Sequence, residues 1–206
     1  MTEAWPNIIT TPEDAAVRQT SCGFRLLLIN EDPLAVHNLA YASYTLFRDL
    51  AKKKNSSSVL NLLDEDAKRF KDREFWKLFS DLGNSLKHAD RQAGKTPEDF
   101  NEVLLFTNCM LARELGLFST AELATLWMWM HCCYFINLDD VPNVLWEWAN
   151  ENIEALHSAE RSPKIVAAEN LYKLVIDTEL DGYSMMPEQV LIPWRLVLQP
   201  NRGFHV

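Results

Sequence analysis

The chain has 206 residues, 48% of them apolar and 24% charged, which suffices for one sizeable core and excludes a disordered or collagen-like protein. A formal net charge of −9 argues against a generally basic nucleic-acid-binding chain, and six glycines leave little material for a phosphate-cradling loop. Seven tryptophans point to a well-filled core or an aromatic partner surface.

The predicted elements are helices throughout. The first residues, Met1-Thr2-Glu3-Ala4-Trp5-Pro6, have neither the basic nor the apolar region of a secretory leader. A helix is expected over 12–28, where Thr11 caps and Pro12 suits the first turn. After a break at Asn30-Glu31-Asp32-Pro33, a second helix runs over 33–54. Its stripe is Val36, Leu39, Ala40, Ser43, Leu46, Phe47 and Leu50, and Lys52-Lys53-Lys54 favour its C-terminal pole. A polar loop, Asn55 to Ser58, leads to a short helix over 59–64 and a long one over 67–88.

Thr96-Pro97-Glu98-Asp99 restarts the chain into a helix that ends near Leu115, with Gly116 as its stop. Ser119-Thr120-Ala121-Glu122 reads as a capping box for a helix to Ile136. Two more helices cover 141–158 and 162–178. From Asp181 the periodicity fades, and Pro187, Pro193 and Pro200 indicate extended chain. The expected architecture is all-α: a single-domain bundle of six to seven helices over 1–182. An extended tail over 183–206 would pack Val190, Leu191, Ile192 and Trp194 on the body or a neighbour.

Cys22, Cys109, Cys132 and Cys133 fit no zinc ribbon or disulfide framework, so reduced thiols and a cytoplasmic location are expected. Leu123 to Ile136 is the longest apolar run and falls short of the ~20 residues that span a bilayer, so no membrane segment is expected. No Walker, Gly-x-Ser-x-Gly or His-Glu-x-x-His motif occurs, and no cofactor is expected.

Charge is unevenly placed. Residues 48–95 carry twelve Lys/Arg against eight Asp/Glu, a net of +4, and the remainder nets −13. Residues 98–160 hold eleven acids and one arginine, which argues against nucleic acid on that surface despite Trp146 and Trp148. His131-Cys132-Cys133 tempts a metal reading, but consecutive helical side chains diverge by roughly 100°. Their apolar surroundings favour a buried central helix.

The basic segment contains the most informative stretch, Gly83-Asn84-Ser85-Leu86-Lys87-His88-Ala89-Asp90-Arg91. On a helical wheel Phe75, Leu78, Phe79, Leu82, Leu86 and Ala89 share one face. Asn84, Lys87, His88 and Arg91 form a polar stripe on the other, at i, i+3, i+4 and i+7. Two readings stay open: a solvated face, or a groove whose cationic and imidazole donors suit phosphate or another anion.

His37 is the second candidate, on a stripe with Tyr41, Tyr44 and Arg48. It is either a boundary histidine bonded to a neighbour or, if helices two and three pack antiparallel, a partner of His88. In the second case Asp49 and Asp90 are carboxylates suited to orient an imidazole, and His37, His88 and Asp90 form a weak metal set.

Asn-Ser-Leu-Lys-His-Ala-Asp-Arg resembles the Asn-Phe-Phe-Lys-His-Ala-Asp-Arg signature of a group of uncharacterised prokaryotic all-helical proteins. Pro33 to Ala40, with Arg48-Asp49-Leu50, resembles that group's other recurrent segment, so the likeness covers about residues 30–92. The group is similar to the HEPN superfamily, whose helical bundles often carry Arg-Asn-x-x-x-His. There the arginine and histidine of active ribonucleases act together, commonly across a dimer.

On this chain Asn84 and His88 match, which makes His88 the one catalytic candidate. Gly83 stands at the arginine position and supplies no cation for charge developing at a phosphate. The resemblance thus implies a HEPN-like core acting as a non-enzymatic interaction module, partnered by another protein or a second copy. The alternative is RNA or another phosphate-containing ligand, held by Asn84, Lys87, His88, Asp90 and Arg91 with His37, Tyr41 and Arg48. A metal site is the weaker one.

Overall fold

The computed structural model describes residues 10–56, 58–69, 72–87, 97, 100–135 and 146–178, with Asp72, 83–87, Phe135 and Trp146 described by backbone alone. Every regular element among them is helical: α1 (Pro12–Leu28), α2 (Pro33–Lys53), α3 (Ser58–Arg69), α4 (Asp72–Lys87), α5 (Phe100–Glu114), α6 (Ala121–Met130), α7 (Trp146–Ser158) and α8 (Arg161–Asp177). The expected all-α bundle is present, and the segment 183–206 lies outside the described residues.

Local chemistry sets the helix ends. Thr11 Oγ1 accepts the Asp14 N–H at 3.1 Å, so α1 starts at Pro12 with Glu13 and Asp14 in the first turn. Asn30 and Asn55 take φ of 54° after α1 and α2, and their neighbours fold back: Glu31 N–H to Leu26 O at 3.0 Å, Ser56 N–H to Ala51 O at 2.9 Å. Asparagine tolerates this left-handed position, and orphan carbonyls gain donors. Gly116, at φ 72°, does the same after α5.

Two boundaries differ from the sequence expectation. The short helix expected over 59–64 extends to Arg69, and the next starts at Asp72; the described residues hold eight α-helices where six to seven are expected. The helix expected to reach Ile136 ends regular α geometry at Met130, and His131–Phe135 forms a π turn.

The core is a set of close helix pairs. α1 and α2 form an antiparallel hairpin, in which Ala16 O accepts Thr20 Oγ1 at 3.0 Å and Ser43 Oγ at 2.8 Å. Gly23 lets three helices approach: a Cβ there would lie 3.2 Å from Leu105 Cδ2 on α5 and 3.5 Å from Leu39 Cβ on α2. α5 lies parallel to α2. Asn101 Nδ2 donates to Pro33 O and Asn108 Nδ2 to Ala40 O, both at 2.8 Å.

α6 returns antiparallel to α5, with Phe106 against Trp127 and the Cys109 thiol donating to Leu123 O. α8 covers α6 and α1. α4 closes the other side through Tyr44–Phe79 and Phe79–Phe100 ring contacts at 5.1 and 5.0 Å. Among the described residues no helix is long and apolar enough to cross a membrane.

Candidate functional site

α4 divides as its sequence divides. Phe75 and Phe79 are buried, and Arg73 and Lys77 are exposed. Gly83, Asn84 and Lys87 sit on its last turns, while His88, Asp90 and Arg91 lie outside the described residues. Lys52, Lys53, Lys54, Lys68, Arg69, Arg73 and Lys77 are all exposed, so the basic segment reaches solvent along the C-terminal ends of α2 and α3 and the start of α4.

His37 is not at the edge of the apolar face but fully buried in the α2–α5 seam. Its Nδ1 lies 2.9 Å from Asn101 Oδ1. The Asn101 amide nitrogen donates to Pro33 O, which fixes the amide's orientation and makes Oδ1 the atom facing the ring. A carbonyl oxygen accepts, so Nδ1 carries the proton and Nε2 holds a lone pair. Nε2 meets no hydrogen-bond partner among the described residues. Burial lowers the imidazole below its ordinary pKa, against a smaller opposing pull from Asn101.

Tyr41 is also buried, its ring stacked near that of His37 at 6.3 Å. Of the His37, Tyr41 and Arg48 stripe, only Arg48 reaches outward. It pairs with exposed Asp49 at 3.2 Å and lies over the Tyr44 ring at 5.9 Å. Asp49 is thereby turned away from His37. Burial pushes the Tyr44 hydroxyl up to about 12.

The structure assembles two charged clusters that the sequence did not single out. At the start of α5, Glu102 is 2% exposed and pairs with Arg161 Nε of α8. Tyr134 of the π turn donates to its other oxygen at 3.4 Å. Lys164, 4% exposed, sits 4.8 Å above the Tyr134 ring. Arg161 and Lys164 occupy the first turn of α8, where the helix dipole disfavours cations. That mismatch, legible in Arg161-Ser162-Pro163-Lys164, is the signal that would have found them.

The second cluster joins α6, α1 and α8. Glu122 Oε1 accepts from Arg25 and, at 2.8 Å, from the Tyr172 hydroxyl. Burial pushes the Glu122 carboxyl up, but Tyr172 and Arg25 outweigh it and the group ends below its usual range. Thr120, not Ser119, is the N-cap of α6, and Glu122 is spent on this contact.

His131, Cys132 and Cys133 are buried, as a packed central helix requires. Burial, with the Arg113 charge, lowers His131 to about 3, and burial raises Cys132 to about 12. Trp148 is half-buried against the core. Among the described residues no group of three His, Cys, Asp or Glu side chains is placed to hold a metal. The set of His37, His88 and Asp90 is represented there by His37 alone.

The described chain is thus an all-helical bundle with a buried imidazole seam, two ion clusters built on buried carboxylates and one exposed basic edge. Comparison with family models, with curated proteins and with solved structures returns no match.

Proposed function

We propose that this chain is a HEPN-like helical interaction module that works by docking a protein partner or a second copy of itself, and not by cleaving RNA. One observation carries the proposal: Gly83 occupies, on α4, the position where the resembled motif has its arginine. In-line cleavage needs a cation at the phosphate and a group that moves the 2′-hydroxyl proton. Glycine removes the first, and His37 is committed to Asn101 in the core. Size-exclusion chromatography with light scattering, together with pull-down of partners, tests docking. A strict monomer with no captured partner overturns it, and RNA cleavage lost in His88→Ala overturns the non-catalytic part.

A second reading, an RNA- or anion-binding protein, is favoured by the seven exposed cations of the basic edge. It predicts RNA affinity that falls steeply with salt and weakens in a joint Arg73→Ala, Lys77→Ala variant. Binding absent at low salt rejects it.

A further inference from the structure

We propose that His37 is an acid-operated latch at one end of the α2–α5 seam, closed while its imidazole is neutral and released when the ring takes a second proton. The geometry makes the ring selective for one protonation state. Asn101 Oδ1 uses the Nδ1 proton, and Asn101 is held in that orientation by Pro33 O. A second proton would go on Nε2, which is buried and meets no acceptor among the described residues. The closed seam would then contain both an unpaired donor and an uncompensated charge, each costly in an apolar setting.

No charged group of the described elements around the seam relieves that cost. On α5 the nearest carboxylate by sequence, Glu102, is engaged with Arg161. On α1, Arg25 is engaged with Glu122. α4 contributes Phe79 to this side, its Lys77 is exposed, and half-buried Asp81 exerts no resolved pull on the ring, whose influences are burial and Asn101. On α2 itself the ring's neighbour is the Tyr41 side chain. Burial is accordingly the main influence on the imidazole, and it favours the neutral form.

The release is local because the seam has a second, non-titrating fastening. Asn108 donates to Ala40 O, seven residues further along α5 than Asn101, and no proton equilibrium near neutrality acts on an amide and a carbonyl. Acid therefore frees the first turns of α2 and α5, uncovering Val36 and Phe100, while the seam from the Ala40–Asn108 bond onward holds. His131, the other fully buried imidazole among the described residues, lies in the π turn after α6, away from the α2–α5 seam, so it is separable in position.

Hydrogen exchange followed by mass spectrometry on the full chain tests the latch, with rates corrected for intrinsic pH dependence. Between neutral pH and about pH 5, below the ordinary imidazole pKa of about 6.5, protection over 33–39 and 100–104 is expected to fall at least tenfold. Protection over 105–114 is expected to stay. In His37→Gln the pH-dependent loss should vanish. In Asn101→Asp, where a carboxylate faces the ring, the loss should move to lower pH.

Imidazole nitrogen shifts of the unmodified chain provide a reading independent of variant folding. The neutral ring should be the Nδ1–H tautomer, and its titration should coincide with the loss of protection. Opening that persists unchanged in His37→Gln, or a His37 ring still neutral where 33–39 has opened, overturns the proposal.

Discussion

Glu114, the last residue of α5, accepts the backbone N–H of Val59, at the start of α3, at 2.9 Å. The same carboxylate accepts the Ser58 N–H at 2.8 Å and the Ser56 hydroxyl at 2.6 Å. A helix begins with N–H groups that have no partner within the helix and with the positive end of its dipole. α3 has both answered by a side chain from another helix. The carboxylate thus works as a cap and as a clasp between α3 and the end of α5.

Replacing Glu114 with alanine should cost about 1–2 kcal/mol, the range for losing a cap made of charge-assisted bonds. Glu114→Gln should retain part of this, since one amide oxygen still accepts. Urea unfolding midpoints measure the loss, and hydrogen exchange at 58–62 locates it. An unchanged midpoint with α3 still protected would mean that packing of Val59 and Leu63 alone holds the helix.

The difference between legible and hidden features follows sequence separation. Thr11, Gly116 and the lysines ending α2 act on their own helix ends, so their roles could be read from neighbouring residues. The buried stripes of α2 and α4 were likewise given by a period of 3.6. The stripe His37 shares with Arg48 leaves it open, from sequence, whether the ring sits at the boundary or meets His88, and only Asn101, 64 positions away, shows that the seam closes over it. Arg25–Glu122 and Arg161–Glu102 join residues 97 and 59 positions apart. Such pairs depend on which helices become neighbours, which periodicity does not encode. The site proposed from the resemblance is divided: Asn84 and Lys87 have a place on α4, and His37 is inside the core.

Glu122 should make the fold acid-sensitive. Its carboxyl lies below its ordinary pKa in the folded chain because Tyr172 and Arg25 outweigh burial. The unfolded chain then binds a proton more readily than the folded chain. Stability from this group is present above the unfolded carboxylate pKa, about 4.3, and is lost as pH falls through the folded value. Glu122→Gln should remove about 1–3 kcal/mol at neutral pH, as for a hydrogen-bonded charged group. It should also flatten the stability profile below about pH 4.3. Chemical denaturation across pH 3–7 checks both, and equal acid slopes in the two proteins would exclude Glu122 as the source.

Gly23 tests how tightly α1, α2 and α5 meet. Alanine in a helix interior gains about 1 kcal/mol over glycine. The added Cβ would meet Leu105 Cδ2 at 3.2 Å, a tight contact, but with the movable end of a side chain. The two effects oppose, so Gly23→Ala should stay within about 1 kcal/mol of the unmodified chain. Gly23→Leu has no such compensation: its branch would enter the space held by Leu39 and Leu105, at a cost of about 3 kcal/mol or more. Thermal and denaturant midpoints of the pair decide it. A leucine variant as stable as the alanine one would mean that the three helices are not in register at this point.

His131 makes a second, lower-pH contribution with a sign that is fixed by its burial. Its folded value, about 3, lies below the ordinary imidazole pKa of about 6.5. Between these two values the unfolded chain holds a proton on this ring that the folded chain does not. Stability therefore rises with pH across that window, and falling pH removes it at up to about 1.4 kcal/mol per unit. Removing the group that takes the extra proton should remove the slope. Stability of His131→Phe should thus depend less on pH between about 6.5 and 3 than that of the unmodified chain. A ring suits the site, because Trp127 and Phe106 already pack on the imidazole at centroid distances of 4.8 and 6.4 Å. His37→Gln should remove a separate part of the slope, and the double variant should remove both, since the two histidines share no hydrogen bond or ring contact. A His131→Phe variant that keeps the full slope would exclude His131 and leave acid sensitivity to His37 and the carboxylates.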